Sequence, residues 1–193
     1  MTKKIDDLEY TYKLTLADHG IFILSDSISC INTTDAIQFI LETNLMDKKD
    51  RPKNITLIVN SDGGELSSAF ALIDIIQGSK IPVHTVGLGQ ISSAGLLVFM
   101  SGAKGCRIVT PNTSIMSHQY SWGSYGKEHE LIAVVKEFTL TSKRMMNHYM
   151  KCTGMSEKKV KEILMPNSDV YLDAHEAVKY NIADKVVSTY FNK

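Results

Sequence analysis

The chain has 193 residues, 44% hydrophobic and 22% charged, with 21 basic residues balancing 21 acidic ones. That length and apolar share fit one unit with a sizeable core and exclude a disordered chain, and the zero net charge gives no electrostatic case for nucleic acid. Cys30, Cys106 and Cys152 are scattered and form no CxxC pair, so neither a disulfide scaffold nor a structural zinc site is expected, and a reducing, cytoplasmic setting is the simple reading.

The first 13 residues carry lysines with no apolar run behind them, so no signal peptide is expected. Residues 20–24 (GIFIL) read as a strand. Thr33 and Thr34 are read as helix caps ahead of Ile37, Ile40, Leu41 and Leu45, which share a helical face. Residues 55–59 (ITLIV) are a second buried strand running into a turn, Asn60-Ser-Asp-Gly-Gly64. A helix follows with Ala69, Phe70, Leu72, Ile73 and Ile76 at helical spacing, then a strand over 82–86. Gly89-Gln-Ile-Ser-Ser-Ala-Gly95 is read as a second sharp turn that opens an apolar helix over 96–100. The apolar run 94–100 is far shorter than the roughly 20 residues that cross a bilayer, so no membrane association is expected. Residues 107–109 and 114–117 are short strands.

This alternation predicts an α/β fold with a mostly parallel sheet, whose right-handed crossovers bring successive turns to one end. Residues 127–152 contain no Gly or Pro, and Leu131, Val134, Val135, Phe138, Met145, Tyr149 and Met150 recur near helical spacing. A helix of about 25 residues is roughly 38 Å long. We read it as a projecting element whose apolar face meets another subunit; the alternative is a helix bent back over its own sheet.

Four segments carry candidate chemistry. Ser92-Ser93-Ala94-Gly95 places hydroxyls at a helix start, where free N–H groups can receive an oxyanion; the plainer role is helix capping. Asp62-Gly63-Gly64 after a buried strand exposes backbone N–H groups, or is an ordinary turn. His118 stands at the end of an apolar strand, where a base for serine can emerge. His19, His84, His129, His148 and His175 compete with it. His129 and His148 are expected to face solvent on the long helix, and His84 to be a satisfied core histidine. Asp169, Asp173 and Asp184 are candidates to orient a histidine, with Asp173 resembling a helix N-terminal acid. HExxH, EF-hand, GxGxxG and P-loop patterns are absent, so neither a metal nor a nucleotide cofactor is expected.

Taken in order, these segments resemble the proteolytic subunit of the Clp protease, the ClpP family. Residues 60–64 resemble that family's N-S-P-G-G, and residues 89–95 its G-Q-A-A-S-M-G. Ser101-Gly-Ala-Lys-Gly105, Thr110-Pro-Asn112, Ile115-Met-Ser-His-Gln119, Asp169-Val-Tyr-Leu-Asp-Ala174, residues 176–180 and residues 182–184 follow at the family's spacing. The resemblance spans about residues 20–188. It implies a ClpP/crotonase-like α/β fold of repeated β-β-α units with a projecting long helix, the handle, over about 127–152, all within one peptidase domain, 1–193. It implies a catalytic Ser93, His118 and Asp169, an oxyanion hole from the N–H groups of Gly64 and Ala94, and a substrate groove that includes Glu65, Leu66, Tyr120 and Ser121.

The implied activity is serine endopeptidase action on peptides or unfolded proteins inside a ring assembly, as a heptamer or tetradecamer, with a separate AAA+ unfoldase as a possible partner. The departures are local. Asp62 replaces the family's proline and is expected to point to solvent. Tyr120-Ser-Trp-Gly123 replaces Pro-Leu-Gly-Gly in the groove, and Asn167-Ser168 replaces the acidic-Arg pair that links rings. Other readings are a weakly active or structural ring subunit and a crotonase-type acyl-CoA enzyme, which lacks the serine triad. A signal-peptide peptidase, with a lysine base and a membrane anchor, shares the fold as well.

Overall fold

The structure, a computed structural model, describes residues 16–188. A single seven-stranded sheet organises it. Strands β1 (Ile21–Ser25), β2 (Ile55–Ser61), β3 (Val83–Ser92), β4 (Arg107–Val109) and β7 (Lys185–Val186) lie side by side in that order, all parallel. Helices α1 (Cys30–Leu45) and α2 (Leu66–Gly78) make the crossovers between the first three strands. Helix α3 (Ser93–Met100) continues directly from β3 and is buried from Ala94 to Met100. A helix apolar all round, as α3 is, is stable only inside a core.

The sheet forks at β3. Its first half pairs with β4, Thr85 to Gly87 against Arg107 to Val109. Its last three residues pair instead with β5 (Ser114–Ser117), Gln90 to Ser92 against Ser114 to Met116. The fork coincides with a register shift between β2 and β3. There Gly89 takes a φ of +60°, and the Asn60 side chain accepts from the Gln90 N–H. A bulge of this kind bends and re-aims a strand. Strand β6 (Val170–Leu172) then adds antiparallel to β5. Three further helices are α4 (Glu128–Thr153), α5 (Glu157–Ile163) and α6 (Ala174–Lys179).

The α/β class, the parallel sheet and the long helix agree with expectation; several local readings do not. Thr33 and Thr34 lie inside α1, and the cap is Ser29, whose hydroxyl accepts from the Asn32 N–H while the Asn32 side chain accepts from the Ser29 N–H. This reciprocal pair uses Asn where Glu or Gln is the usual partner, so the signature is easily passed over. The buried face of α1 is Thr33, Ala36, Ile40 and Thr43, leaving Leu41 and Leu45 exposed. Residues 89–92 belong to a strand, because the positive φ of Gly89 makes a bulge and not a turn.

Helix α4 runs 26 residues in two unlike halves. Met145, His148, Tyr149 and Thr153 are buried, whereas Leu131, Ile132, Val135 and Leu140 are exposed. His148 therefore does not face solvent. It sits 6% exposed and donates from Nε2 to the Leu97 carbonyl at 2.8 Å. Burial, more than any other influence, lowers its pKa below the usual histidine value.

Candidate active site

The fork brings three distant segments to one end of the sheet. β3 and β5 are parallel neighbours, with Ser92 opposite Met116, so Ser93 and His118 leave their strands side by side. β5 and β6 are antiparallel, with Ser117 opposite Val170, so one further step sets His118 beside Asp169. The side chains meet accordingly. His118 Nε2 lies 2.8 Å from Ser93 Oγ. His118 Nδ1 lies 3.6 Å from Asp169 Oδ1, longer than a formed hydrogen bond. Asp169 is more than half exposed, so its carboxylate has room to close that gap; contacts of this kind commonly tighten when substrate arrives.

Ser93 occupies the junction of β3 and α3 with φ +53°, a value few non-glycine residues adopt. The turn is held because α3 is fixed in the core behind it, and the bend carries the hydroxyl out of the helix line. Ser92 shows the alternative. It is fully buried and accepts from the Gln90 side chain. The first turn of α3 has no side-chain cap, so the Ala94 N–H lies among the free donors at a helix start.

The Gly63-Gly64 pair closes over Ser93 from β2. Gly63 has φ +112°, and a Cβ built on it would lie 2.6 Å from Ser93 Cβ and 3.2 Å from Ser93 Oγ. Gly64 has φ +140°, and its Cβ would strike the Ile28 carbonyl at 2.2 Å. Glycine is needed at both for conformation and for space. The Ile28 N–H donates to Gly63 O, and the Glu65 N–H donates to Ile28 O at 2.9 Å. The Gly63 N–H donates to Ser61 Oγ at 3.2 Å. In a parallel bridge of this pattern the Gly64 N–H points away from Ile28, and it has no hydrogen-bond partner among the described residues. Asp62 is exposed.

A groove of about 580 Å³ opens just past His118, between residues 119–120, α4, α5 and residues 165–167, and Tyr120, Phe138, Met145, Met146 and Met165 make up much of its wall. Tyr120 packs on Phe138 with ring centroids 5.3 Å apart and Trp122 stacks nearer, at 4.6 Å. Ser121 is exposed. Glu65 stands at the N-cap position of α2, where its carboxylate accepts from the Ser68 hydroxyl and makes no bond to the helix N–H groups, and Leu66 is the first residue of that helix, so both follow directly from Gly64.

The competing residues stand elsewhere in the fold, and His19, His129 and His175 are exposed. His84 is half-buried on β3, outside the core, with its pKa lowered first by burial and then by Lys185. His129 and His175 open α4 and α6. Asp173 caps α6 by accepting from the His175 and Glu176 N–H groups. Asp184 is the half-buried partner of the buried Arg107, bound through Nη2 at 2.7 Å and Nε at 3.0 Å. Reading the sequence misses that pair, since nothing local signals that β4 and the approach to β7 adjoin. Among the described residues no group of three His, Cys, Asp or Glu side chains could hold a metal, and no helix is long and apolar enough to cross a membrane.

Comparison with known proteins agrees with this architecture. The Clp protease family model matches residues 6–190. ATP-dependent Clp protease proteolytic subunits from three strains of Dehalococcoides mccartyi are each 30% identical to the chain over 182 residues, covering 94% of it and 88% of the relative.

Proposed function

This chain belongs to the Clp protease family, and we propose that it is a serine endopeptidase in which Ser93 is the nucleophile, His118 the base and Asp169 the carboxylate that orients it. The observation that carries the reading is the 2.8 Å approach of His118 Nε2 to a serine held at φ +53°. A capping serine has no need of a strained backbone or of a histidine partner.

In the proposed reaction Ser93 Oγ attacks the peptide carbonyl carbon and its proton passes to His118 Nε2. The Gly64 and Ala94 N–H groups stabilise the oxyanion that forms; each such donor typically contributes about 2.7–4 kcal/mol at the transition state. His118 gives the proton to the leaving amine as the C–N bond breaks. Water then attacks the Ser93 ester, losing a proton to His118, which returns it to Ser93 Oγ as the carboxylic acid product departs. Asp169 accepts from Nδ1–H and stabilises the imidazolium.

The substrate is a peptide or unfolded segment lying across Glu65, Leu66, Tyr120 and Ser121. The aromatic Tyr120 and Trp122 make its side-chain preference this chain's own. The whole of 1–193 acts as one peptidase domain. It assembles as a heptameric or tetradecameric ring through α4 and works in the cytoplasm. A separate ATPase of the AAA+ class feeds it, since the chain has no phosphate-binding loop and its relatives are named ATP-dependent.

Hydrolysis of short fluorogenic peptides by the wild type and by Ser93→Ala tests the proposal. A fall in kcat/KM of about 10³-fold or more in the variant is expected. Equal hydrolysis by both, or turnover of acyl-CoA thioesters in place of peptides, would overturn it.

A further inference from the structure

Ser117 is the last residue of β5 and His118 follows it, so the alternation of an extended chain sends the two side chains to opposite sides. His118 meets Ser93; Ser117 is buried completely against the long helix. Ser117 Oγ donates to the Leu164 carbonyl at 2.5 Å, just past α5, and lies 2.7 Å from the Tyr149 hydroxyl of α4. A serine has one proton to give, so with that proton on Leu164 it accepts from Tyr149. Tyr149 is 1% exposed, and burial pushes its phenol up to about 12, which keeps it a neutral donor. One residue earlier, His148 holds the Leu97 carbonyl in α3, the helix that begins at Ser93. Adjacent residues of α4 thus grip both the strand that delivers His118 and the helix that delivers Ser93.

We infer that Tyr149, acting through its hydroxyl bond to Ser117, is a positioning residue that sets the distance between His118 and Ser93. The inference rests on the proposed serine mechanism. A base that takes the serine proton must stand within roughly 2.6–3.2 Å of it, and a misplacement of about 1 Å can cost about 100-fold in rate. His118 is the first residue beyond β5, held through the pairing of β5 with β3 and β6, the anchor at Ser117 and the bonds of the Gln119 side chain to the Met165 and Pro166 carbonyls. Removing the Tyr149 hydroxyl leaves the Ser117–Leu164 bond and the β6 pairing in place. The strand end loosens without being released, and the loss stays below that ceiling.

The test is Tyr149→Phe, which keeps the ring and removes only the hydroxyl. Turnover of a fluorogenic peptide is normalised to the Ser93 sites titrated by a fluorophosphonate. Expected are a kcat lower by about 5–30-fold, a KM within about twofold, and a second-order labelling rate at Ser93 lower by the same factor as kcat, because both need the His118–Ser93 contact. A normalised kcat and labelling rate within about twofold of wild type would overturn the inference while leaving Ser93 as the nucleophile. So would a loss wholly accounted for by fewer titratable sites, which is the mark of a merely structural role. Wild-type protein that takes no label at Ser93 would overturn the serine mechanism and this inference with it. Should Tyr149→Phe fail to fold, Ser117→Ala read in the same three ways decides the matter.

Discussion

At the scale of residues, the site depends on how closely Gly63 lies against Ser93. Gly63→Ala would drive a Cβ to 2.6 Å from the serine Cβ at a φ, +112°, that alanine avoids. Backbone strain of this kind costs about 1–3 kcal/mol, read as a lower midpoint in urea. The larger effect falls on the serine: displaced from His118, it should lose at least about 100-fold in kcat/KM, and near-wild-type kinetics in Gly63→Ala would contradict the packing described. Residues differ in how openly they declare these roles. Ser93 is told from Ser92 in sequence only by the family resemblance, since the tetrad alone reads equally well as a helix cap, and His118 is marked among six histidines only by its place at the end of an apolar strand. His148 reads as solvent-facing, because helical spacing alone cannot say that the Leu97 carbonyl waits across the core. Asp184 looks like one more candidate carboxylate until the fold sets Arg107 beside it.

At the scale of elements, that Arg107–Asp184 pair ties β4, the approach to β7 and the end of α4, since Arg107 also donates to the Cys152 carbonyl at 3.1 Å. Burial by itself would raise the Asp184 carboxyl, but the Arg107 hydrogen bonds and charge outweigh it and hold the pKa below the usual 3.8. A carboxylate depressed on folding contributes stability that is present above its unfolded value and is lost as pH falls through its folded one. Breaking a buried pair by removing one charge costs about 3–5 kcal/mol. Asp184→Asn should therefore be less stable than wild type by that amount at neutral pH, with the gap narrowing below about pH 3.8. Urea unfolding from pH 3 to pH 7 measures it, and a gap constant across the range would contradict the linkage. Element types are legible for most of the chain through α4, where periodicity of apolar residues reports them directly; residues 89–92 read as a turn but belong to β3, and α5, β6 and β7 are too short to declare themselves. Boundaries and faces are less so: the Ser29–Asn32 cap, the bulge at Gly89 and the face α1 buries depend on which neighbours the fold supplies.

At the scale of the whole molecule, the exposed half of α4 is the feature a monomer leaves unexplained. Ile132 is 65% exposed and Val135 52%, with Trp122 and Tyr125 also exposed in the segment before the helix. Contiguous apolar surface of this kind marks an interaction site, and the proposed ring assembly would cover it. Native mass spectrometry should find seven or fourteen chains for the wild type. Ile132→Glu with Val135→Glu should shift the population toward smaller species while leaving the thermal midpoint of the fold nearly unchanged. A wild-type chain that stays monomeric at micromolar concentration would contradict the role given to α4. This level was open to sequence only in outline: the length of the helix and its missing glycines and prolines announce a projecting element, but which half is buried follows from where β5 and α5 lie.

Activation of Ser93 by His118 can be read out by covalent labelling of the wild-type protein with a fluorophosphonate, followed by peptide mapping. One adduct per chain on Ser93, absent from Ser93→Ala and strongly slowed in His118→Ala, is the predicted result. Label on Ser92 or on any other residue, or label that survives Ser93→Ala, would contradict it.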